Sequence, residues 1–284
     1  MDLAYRILNV FTVAGQRLSG NPLCVFEDGR GLDDATMQAL ARQLNLSETT
    51  FILPPEAPGA TARVRIFTPA FEMPFAGHPT LGTAHVARAQ AGAGDRVRLE
   101  MKAGQVEVTA TGDRWTLRAA RAPRTRVPEA SPDELGAMVG LPPGSVRQPL
   151  WVDTGAEQLV LPVATPGQVR SASPDPRRLE RYGRSESMGE RMAYLWAPAG
   201  AGRVLARFFF LADGEVREDP ATGSACANLG GWHLATGAPR PISLTVEQGE
   251  AVGRPSRLGL AVDEAGGIFV SGDVVELGRG SLRL

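Results

Sequence analysis

The feature that most constrains the fold is an uncharged helical segment that follows an acidic stretch. Glu218 and Asp219 precede Pro220, and residues 221–234 contain no Asp, Glu, Lys or Arg. A helix without a charged face has no side for solvent, so the sequence predicts a helix that is buried all round. Its first turn would still present free N–H groups and the positive end of the helix dipole, where an anion can bind. A core helix with an ordinary N-cap and no ligand fits this segment as well.

A second segment, Pro79–Gln90, repeats the pattern about half a chain length earlier. It carries no charge before Arg88, and Ala76-Gly77-His78 precedes it much as Thr222-Gly223-Ser224 opens the later segment. Proline suits a first helical turn, because its missing N–H has no helical partner there. Strand-like runs rich in β-branched and aromatic residues lie around both segments. We therefore predict an α+β protein of two pseudo-symmetric domains, each wrapping strands around one buried central helix.

Residues 120–149 are rich in Pro and Arg, and we place the domain crossover within them, at Arg121–Pro132. The N-terminal domain is then 1–120 and the C-terminal domain 121–273. Asp33 or Asp34 can cap a helix that ends at Asn45. Near the C-terminus, Gly267–Ser271 and Val274–Leu277 are predicted as two separate strands.

Composition argues against several classes of function. The chain of 284 residues has a net charge of −1, so no nucleic-acid or membrane partner is expected, and the N-terminus does not resemble a signal peptide. A cytoplasmic location is expected by default. Two cysteines and three histidines show no metal-ligand spacing. The only lysine, Lys102, lies in a strand-like hairpin, and neither a Walker motif nor a dinucleotide fingerprint occurs. We expect no metal and no organic cofactor.

Four residues could carry chemistry, and each also has a purely structural interpretation. Glu48 lies among apolar neighbours, where a carboxyl can have a raised pKa and act as general acid or base, although most glutamates are simply solvated. His78 can exchange protons near neutral pH or cap a helix. Asp219 could hold a substrate amine or form the turn before Pro220. Ser224 could donate to a carboxylate or act only as an N-cap. The structural interpretations weaken because the four lie at matching points of two half-chains.

Six motifs in this chain resemble the phenazine-biosynthesis PhzF-like family, in the family's order and over nearly the whole length. They are Ser19-Gly-Asn-Pro22, Asn45-Leu-Ser-Glu-Thr49, Arg65-Ile-Phe-Thr-Pro69, Pro74-Phe-Ala-Gly-His-Pro-Thr-Leu-Gly82, Glu218-Asp-Pro-Ala-Thr-Gly-Ser-Ala225 and Glu247-Gln-Gly-Glu-Ala-Val-Gly-Arg-Pro-Ser256.

The resemblance implies the diaminopimelate-epimerase fold, in which two similar domains each hold a barrel-like sheet around a central helix, with the active site between them. It implies that the last strand, 274–284, joins the first domain, and that the protein is a homodimer. The best-studied activity of the family is isomerisation of trans-2,3-dihydro-3-hydroxyanthranilate without metal or organic cofactor. Glu48 matches the family's catalytic acid/base. The substrate-contacting positions match the residues His78, Asp219, Ser224, Gly77 and Gly223.

Racemases and epimerases of this fold carry a cysteine at each of the two helix starts. Ala76 and Thr222 stand at the corresponding positions here, and Cys226 lies further into the predicted helix. A two-thiol mechanism is therefore disfavoured. We expect a small carboxylate-bearing substrate to bind at the helix starts while Glu48 removes a proton from one carbon and returns it at another. An isomerase for a different cyclic or amino-acid-like substrate is one alternative, and a non-catalytic protein that binds small anions is another.

Overall fold

The structure, a computed structural model, describes residues 1–284 and contains seventeen β-strands, six α-helices and one short 3₁₀ helix. The chain divides into two compact units. The first unit consists of Met1–Arg118 and Ser271–Leu284, and the second of Ala119–Val270. None of the helices is long and apolar enough to cross a bilayer.

The first unit is a ring of strands around a helix. Its elements are β1 (Asp2–Val10), β2 (Asn21–Phe26), α1 (Asp34–Leu44), β3 (Glu48–Leu53), β4 (Ala62–Phe67), β5 (Glu72–Met73), α2 (Gly77–Ala91), β6 (Arg96–Met101), β7 (Gly104–Thr111), β8 (Arg114–Arg118) and most of β17 (Ile268–Arg283). The pairings β1–β2–β3–β4–β6–β7–β8–β17–β1 close the ring. Helix α2 contacts β1, β2, β3, β4, β6 and β8, so it is the core of this barrel.

The second unit also packs a sheet around a helix. Its elements are β9 (Arg124–Arg126), α3 (Pro132–Met138), β10 (Leu150–Asp153), β11 (Glu157–Pro162), α4 (Pro166–Ser171), α5 (Pro176–Tyr182), β12 (Met192–Pro198), β13 (Arg203–Ala212), β14 (Glu215–Asp219), α6 (Gly223–Ala235), β15 (Ile242–Gln248), a 3₁₀ turn (Glu250–Val252) and β16 (Ser256–Val262). The sheet runs β9–β10–β11–β12–β13–β15–β16, and β14 forms a hairpin with β13. Helix α6 contacts β9, β10, β11 and β16.

The two uncharged segments are the buried helices that the sequence predicts. In α2 the residues from Gly77 to Ala84 are all buried, and in α6 only Ser224 interrupts burial between Gly223 and Trp232. Helix α2 begins two residues before Pro79, which therefore lies within the first turn. The capped helix after Asp33 is also confirmed, with the Asp33 carboxylate accepting from the Thr36 N–H and Asn45 in the left-handed conformation.

Two sequence-based predictions were wrong. Glu218 and Asp219 do not lie in a turn but end β14, because the turn is made earlier by Asp213 and Gly214, both with positive φ. The two C-terminal strands are one, β17. Gly272 lies within β17, where a Cβ would approach the Phe11 ring to 2.2 Å, so this glycine makes room for an aromatic ring rather than a turn.

Close backbone packing fixes the segment that leads into α6. Gly249 follows β15 with φ +80°, and a Cβ there would lie 2.5 Å from the Pro220 carbonyl oxygen and 2.3 Å from that of Arg254. Both neighbours are backbone atoms, which cannot rotate away. The end of β15 can therefore lie against Pro220 only with glycine at position 249.

We predict that Gly249→Ala destabilises the protein by about 3 kcal/mol or more, since it adds a clash with the backbone to the cost of a left-handed conformation. Gly253 is the matched control. It has φ +68° and open space around its Cβ position, so Gly253→Ala should cost only about 1 kcal/mol. Urea unfolding of the two variants measures the difference, and equal destabilisation would contradict this packing.

Candidate active site

Two of the sequence-predicted residues meet in the first unit. Glu48 is the first residue of β3 and His78 the second residue of α2. Strand β3 pairs in parallel with β2, with Leu23 opposite Glu48. Helix α2 lies close against β2 because residue 82 is glycine, where a Cβ would come within 2.4 Å of Leu23 Cδ2. The Thr50 and Thr83 hydroxyls, 2.8 Å apart, join β3 to the same helix.

The imidazole of His78 joins the Pro22 carbonyl and the Glu48 carboxyl. His78 Nε2 lies 3.3 Å from the Pro22 carbonyl oxygen, and Nδ1 lies 3.2 Å from Glu48 Oε2. A carbonyl oxygen only accepts, so Nε2 carries a hydrogen and donates it. In a neutral imidazole Nδ1 is then a bare acceptor that faces a carboxyl oxygen. Two bare acceptors would repel at this distance, so a proton on Nδ1 or on Oε2 would stabilise the contact.

Burial decides the charge state of the His78 imidazole. The His78 side chain is 4% exposed and that of Glu48 is 16% exposed. Loss of hydration lowers the pKa of His78 to about 3, and the hydrogen bond to Pro22 offsets only part of this effect. The imidazole is therefore neutral at neutral pH.

The start of α2 offers further donors beside this pair. The N-cap is Ala76, whose side chain cannot accept a hydrogen bond from the first turn. Gly77 and His78 are both buried at this end of the helix. Their backbone N–H groups, together with the positive end of the helix dipole, could bind an anionic oxygen.

The second unit places Asp219, Gly223 and Ser224 around the start of α6. Asp219 ends β14, and Thr222 is the N-cap of α6. The Thr222 hydroxyl makes no cap hydrogen bond to its own helix but donates to Asp219 Oδ2 at 2.5 Å. Asp219 is thereby held as a hydrogen-bond acceptor beside the helix start.

The buried side chain of Gln248 fixes the direction of that hydrogen bond. Gln248 Nε2 donates to the Asp219 carbonyl oxygen at 2.8 Å and to Thr222 Oγ1 at 3.0 Å. Since Thr222 Oγ1 accepts from Gln248, its own hydrogen is free to point toward the Asp219 carboxylate. Sequence reasoning missed Gln248, although it lies in the quoted motif that begins at Glu247.

Three further polar residues behind Ser224 were also missed. Gln158 Nε2 lies 2.9 Å from Ser224 Oγ, and Asn228 bonds to both Gln158 and Thr154. Asn228, the only amide side chain in α6, was the one visible signal in the sequence. Gln158 gave none, because it lies in a run of buried strand residues.

The two thiols are not part of either cluster. Cys24 and Cys226 are both buried and free. Burial raises the pKa of the Cys24 thiol to about 12, and it raises that of Cys226 well above its ordinary value. Neither thiol would ionise readily as a proton-transfer base. No group of three or more His, Cys, Asp or Glu side chains is arranged to hold a metal ion.

The sequence profile of the PhzC-PhzF family, described as phenazine biosynthesis-like protein, matches residues 8–277. The chain belongs to this family.

Several relatives that are similar over nearly their full length carry isomerase names. A trans-2,3-dihydro-3-hydroxyanthranilate isomerase from Pseudomonas aeruginosa is 36% identical over 269 residues, which cover 92% of this chain and 91% of the relative. An uncharacterized isomerase from Pasteurella multocida is 35% identical over 279 residues, which cover 98% of this chain and 93% of the relative. The chain is thus a PhzF-like member of a family of isomerases.

Solved structures show the same fold. A PhzF-family protein from Bacillus anthracis aligns over 100% of both chains with a TM-score of 0.85 at 22% identity. A probable proline racemase from Agrobacterium radiobacter aligns over 99% of this chain and 93% of its own, with a TM-score of 0.67 at 13% identity. The predicted diaminopimelate-epimerase-like α+β fold is confirmed.

The neutral state of His78 makes a prediction about stability and pH. Its pKa is lower in the folded protein, about 3, than the ordinary 6.5, so the unfolded chain binds a proton that the folded one does not. The contribution of His78 to stability is therefore full above pH 6.5 and falls as the pH drops toward 3. Between pH 7.5 and 5.5, one such histidine lowers the free energy of unfolding by about 1.4 kcal/mol.

Urea unfolding of the wild type and His78→Gln at these two pH values tests this. The variant should lose about 1.4 kcal/mol less than the wild type over the interval. Glutamine retains an Nε2 donor for the Pro22 carbonyl, so the packing changes little. Equal losses in the two proteins would mean that His78 is already charged when folded at pH 5.5, which would contradict a neutral imidazole.

Proposed function

We propose that this protein is an isomerase that moves a proton, and with it a double bond, within a small carboxylate-bearing metabolite, without a metal or organic cofactor. The observation that carries the proposal is the Glu48–His78 contact of 3.2 Å between a carboxyl oxygen and a buried neutral imidazole. It provides one transferable proton on a group that can both give and take it. Such a group is what a 1,n proton shift requires, since the number of protons on the enzyme is the same before and after.

The resting proton sets the order of steps. We propose that Glu48 carries a proton in the free protein, because a bare carboxylate oxygen would repel the bare Nδ1 of His78, and that the reaction begins with donation of this proton to one carbon of the conjugated system. The Glu48 carboxylate then removes a proton from another carbon, and the double bond moves between the two positions. This order reverses the sequence-based expectation, in which Glu48 acted first as a base. In the resting state the neutral His78 would hold the protonated carboxyl in position through Nδ1.

The remaining predicted residues would hold the substrate. The N–H groups at Gly77 and Gly223 start two buried helices and could bind carboxylate oxygens. Ser224 would add a hydroxyl donor. Asp219, held as an acceptor by Thr222, suits an amine or hydroxyl substituent of the substrate.

The P. aeruginosa relative supports trans-2,3-dihydro-3-hydroxyanthranilate as the first substrate to try. That compound has the carboxylate, amine and conjugated ring which the proposed residues would recognise. The P. multocida relative is equally similar and is named only as an isomerase, which supports testing other cyclic and amino-acid-like carboxylates beside it.

Proton transfer to carbon in D₂O tests the function and Glu48 together. The wild type should place solvent deuterium in the substrate or product, as followed by NMR, with trans-2,3-dihydro-3-hydroxyanthranilate and a panel of small unsaturated carboxylates. Glu48→Gln should retain ligand binding but lose exchange by about 10²–10⁴-fold or more. Glu48→Asp, which keeps the carboxyl but shortens its reach, should fall between them.

Two other outcomes would contradict the proposal in different ways. Full exchange in Glu48→Gln would remove Glu48 from the mechanism. Tight binding of a carboxylate by the wild type, with no exchange on any compound bound, would favour a non-catalytic anion-binding protein instead.

A further inference from the structure

The side-chain amides of Gln158 and Asn228 form a hydrogen-bond network with Ser224. Its donors and acceptors can be assigned in only one way. Asn228 lies between two backbone groups whose polarity is fixed. The Thr154 N–H, 3.0 Å from Asn228 Oδ1, can only donate, and the Ala156 carbonyl, 2.8 Å from Nδ2, can only accept. The Asn228 amide cannot be turned over without placing donor against donor and acceptor against acceptor.

The fixed amide of Asn228 determines that of Gln158. Asn228 Nδ2 lies 2.8 Å from Gln158 and donates, so the atom facing it must be Oε1. Gln158 Nε2 is then the atom 2.9 Å from Ser224 Oγ. Nitrogen of an amide only donates, so the Ser224 oxygen must accept. Gln158 is 4% exposed and Asn228 fully buried, which keeps water from relaxing this order.

The hydroxyl hydrogen of Ser224 consequently cannot point toward Gln158. The only side-chain hydrogen bond of Ser224 within the protein is the one that it accepts. Ser224 is half-buried and lies in the first turn of α6, whose N-cap side chain makes no hydrogen bond to the helix. Its hydrogen is thus left for a group outside the chain, on the same helix end as the first-turn N–H groups.

We infer that Gln158, ordered by Asn228, is a positioning residue that makes Ser224 an obligate hydrogen-bond donor to an anionic oxygen of the substrate. The inference rests on the proposed function for the presence of a carboxylate, and it names the group that selects this anion over a neutral analogue. Gln158 does not touch substrate. It acts by removing the alternative in which the serine hydroxyl turns inward and offers the ligand a lone pair.

The test is a double-mutant cycle with a simple probe pair, sodium benzoate and the neutral benzamide. Chemical shifts of the backbone amides of residues 223–225 report their binding to the intact protein. The variants are Gln158→Met, Ser224→Ala and the double variant, and Gln105→Met, an exposed site on β7, controls for the amide-to-thioether change. In the wild type we expect benzoate to shift these amides at concentrations where benzamide does not.

Gln158→Met should raise the benzoate dissociation constant by about three- to tenfold, as expected for the loss of part of one charge-assisted hydrogen bond. Ser224→Ala should raise it about tenfold, and the double variant should match Ser224→Ala within about twofold, because Gln158 acts only through that hydroxyl. Weak benzamide binding should fall by a smaller factor, because its neutral carbonyl oxygen accepts a weaker hydrogen bond, whereas a general disturbance of the helix would weaken both ligands equally. Gln105→Met should match the wild type.

Three results would overturn the inference. The first is that benzoate does not shift these amides in the wild type. The second is that benzamide binds as tightly as benzoate. The third is that Gln158→Met raises the benzoate dissociation constant by the same factor with and without the Ser224 hydroxyl. Should Gln158→Met fold poorly, Gln158→Leu in the same cycle replaces it, with thermal unfolding to verify the fold. Benzoate binding does not depend on Glu48, so failure of the proton-transfer experiment would leave this result standing, and the reverse also holds.

Discussion

The structure depends on the burial of two helices that have no charged face. Helix α2 can be stable in water only if strands cover it on every side, and in the first unit eight strands close a ring around it. Such a helix leaves its polar backbone groups unpaired only at its ends. Few polar side chains lie inside the barrel, and the titratable pair of Glu48 and His78 lies at the start of α2. The same constraint applies to α6 in the second unit.

The two units place different polar side chains at the start of their buried helix. In the first unit a carboxyl lies against an imidazole, and burial lowers the pKa of that imidazole and keeps it neutral. In the second unit carboxamides order the hydroxyls. Gln248 turns the Thr222 hydroxyl toward Asp219, and Gln158 turns the Ser224 hydroxyl away from the protein. We thus propose that the carboxyl and imidazole transfer the proton, and that the ordered hydroxyls recognise the substrate.

The sequence predicted what depends on local pattern. The uncharged runs specified α2 and α6, Asp33 and Asn45 marked a helix at both ends, and the motifs identified the family and hence the roles offered for Glu48, His78, Asp219 and Ser224. The contacts that the sequence did not predict depend on how distant segments are aligned in the fold. Gln158 and Ser224 are 66 residues apart, and no local pattern marks a glutamine within a buried strand as the partner of a helix-start serine. The glycine in β17 was misleading because the space it leaves for Phe11 is invisible in sequence.

The protonation state of His78 is the central claim, since the location of the transferable proton follows from it. It is measured most directly by ¹⁵N NMR of the protein labelled at the histidine ring nitrogens, with His78→Gln used to assign the signals. At pH 7 the account predicts a protonated Nε2 and a bare, hydrogen-bond-accepting Nδ1, unchanged down to pH 5.5. Two protonated nitrogens, or a proton on Nδ1 alone, would place the proton on the imidazole rather than on Glu48 and would contradict the account.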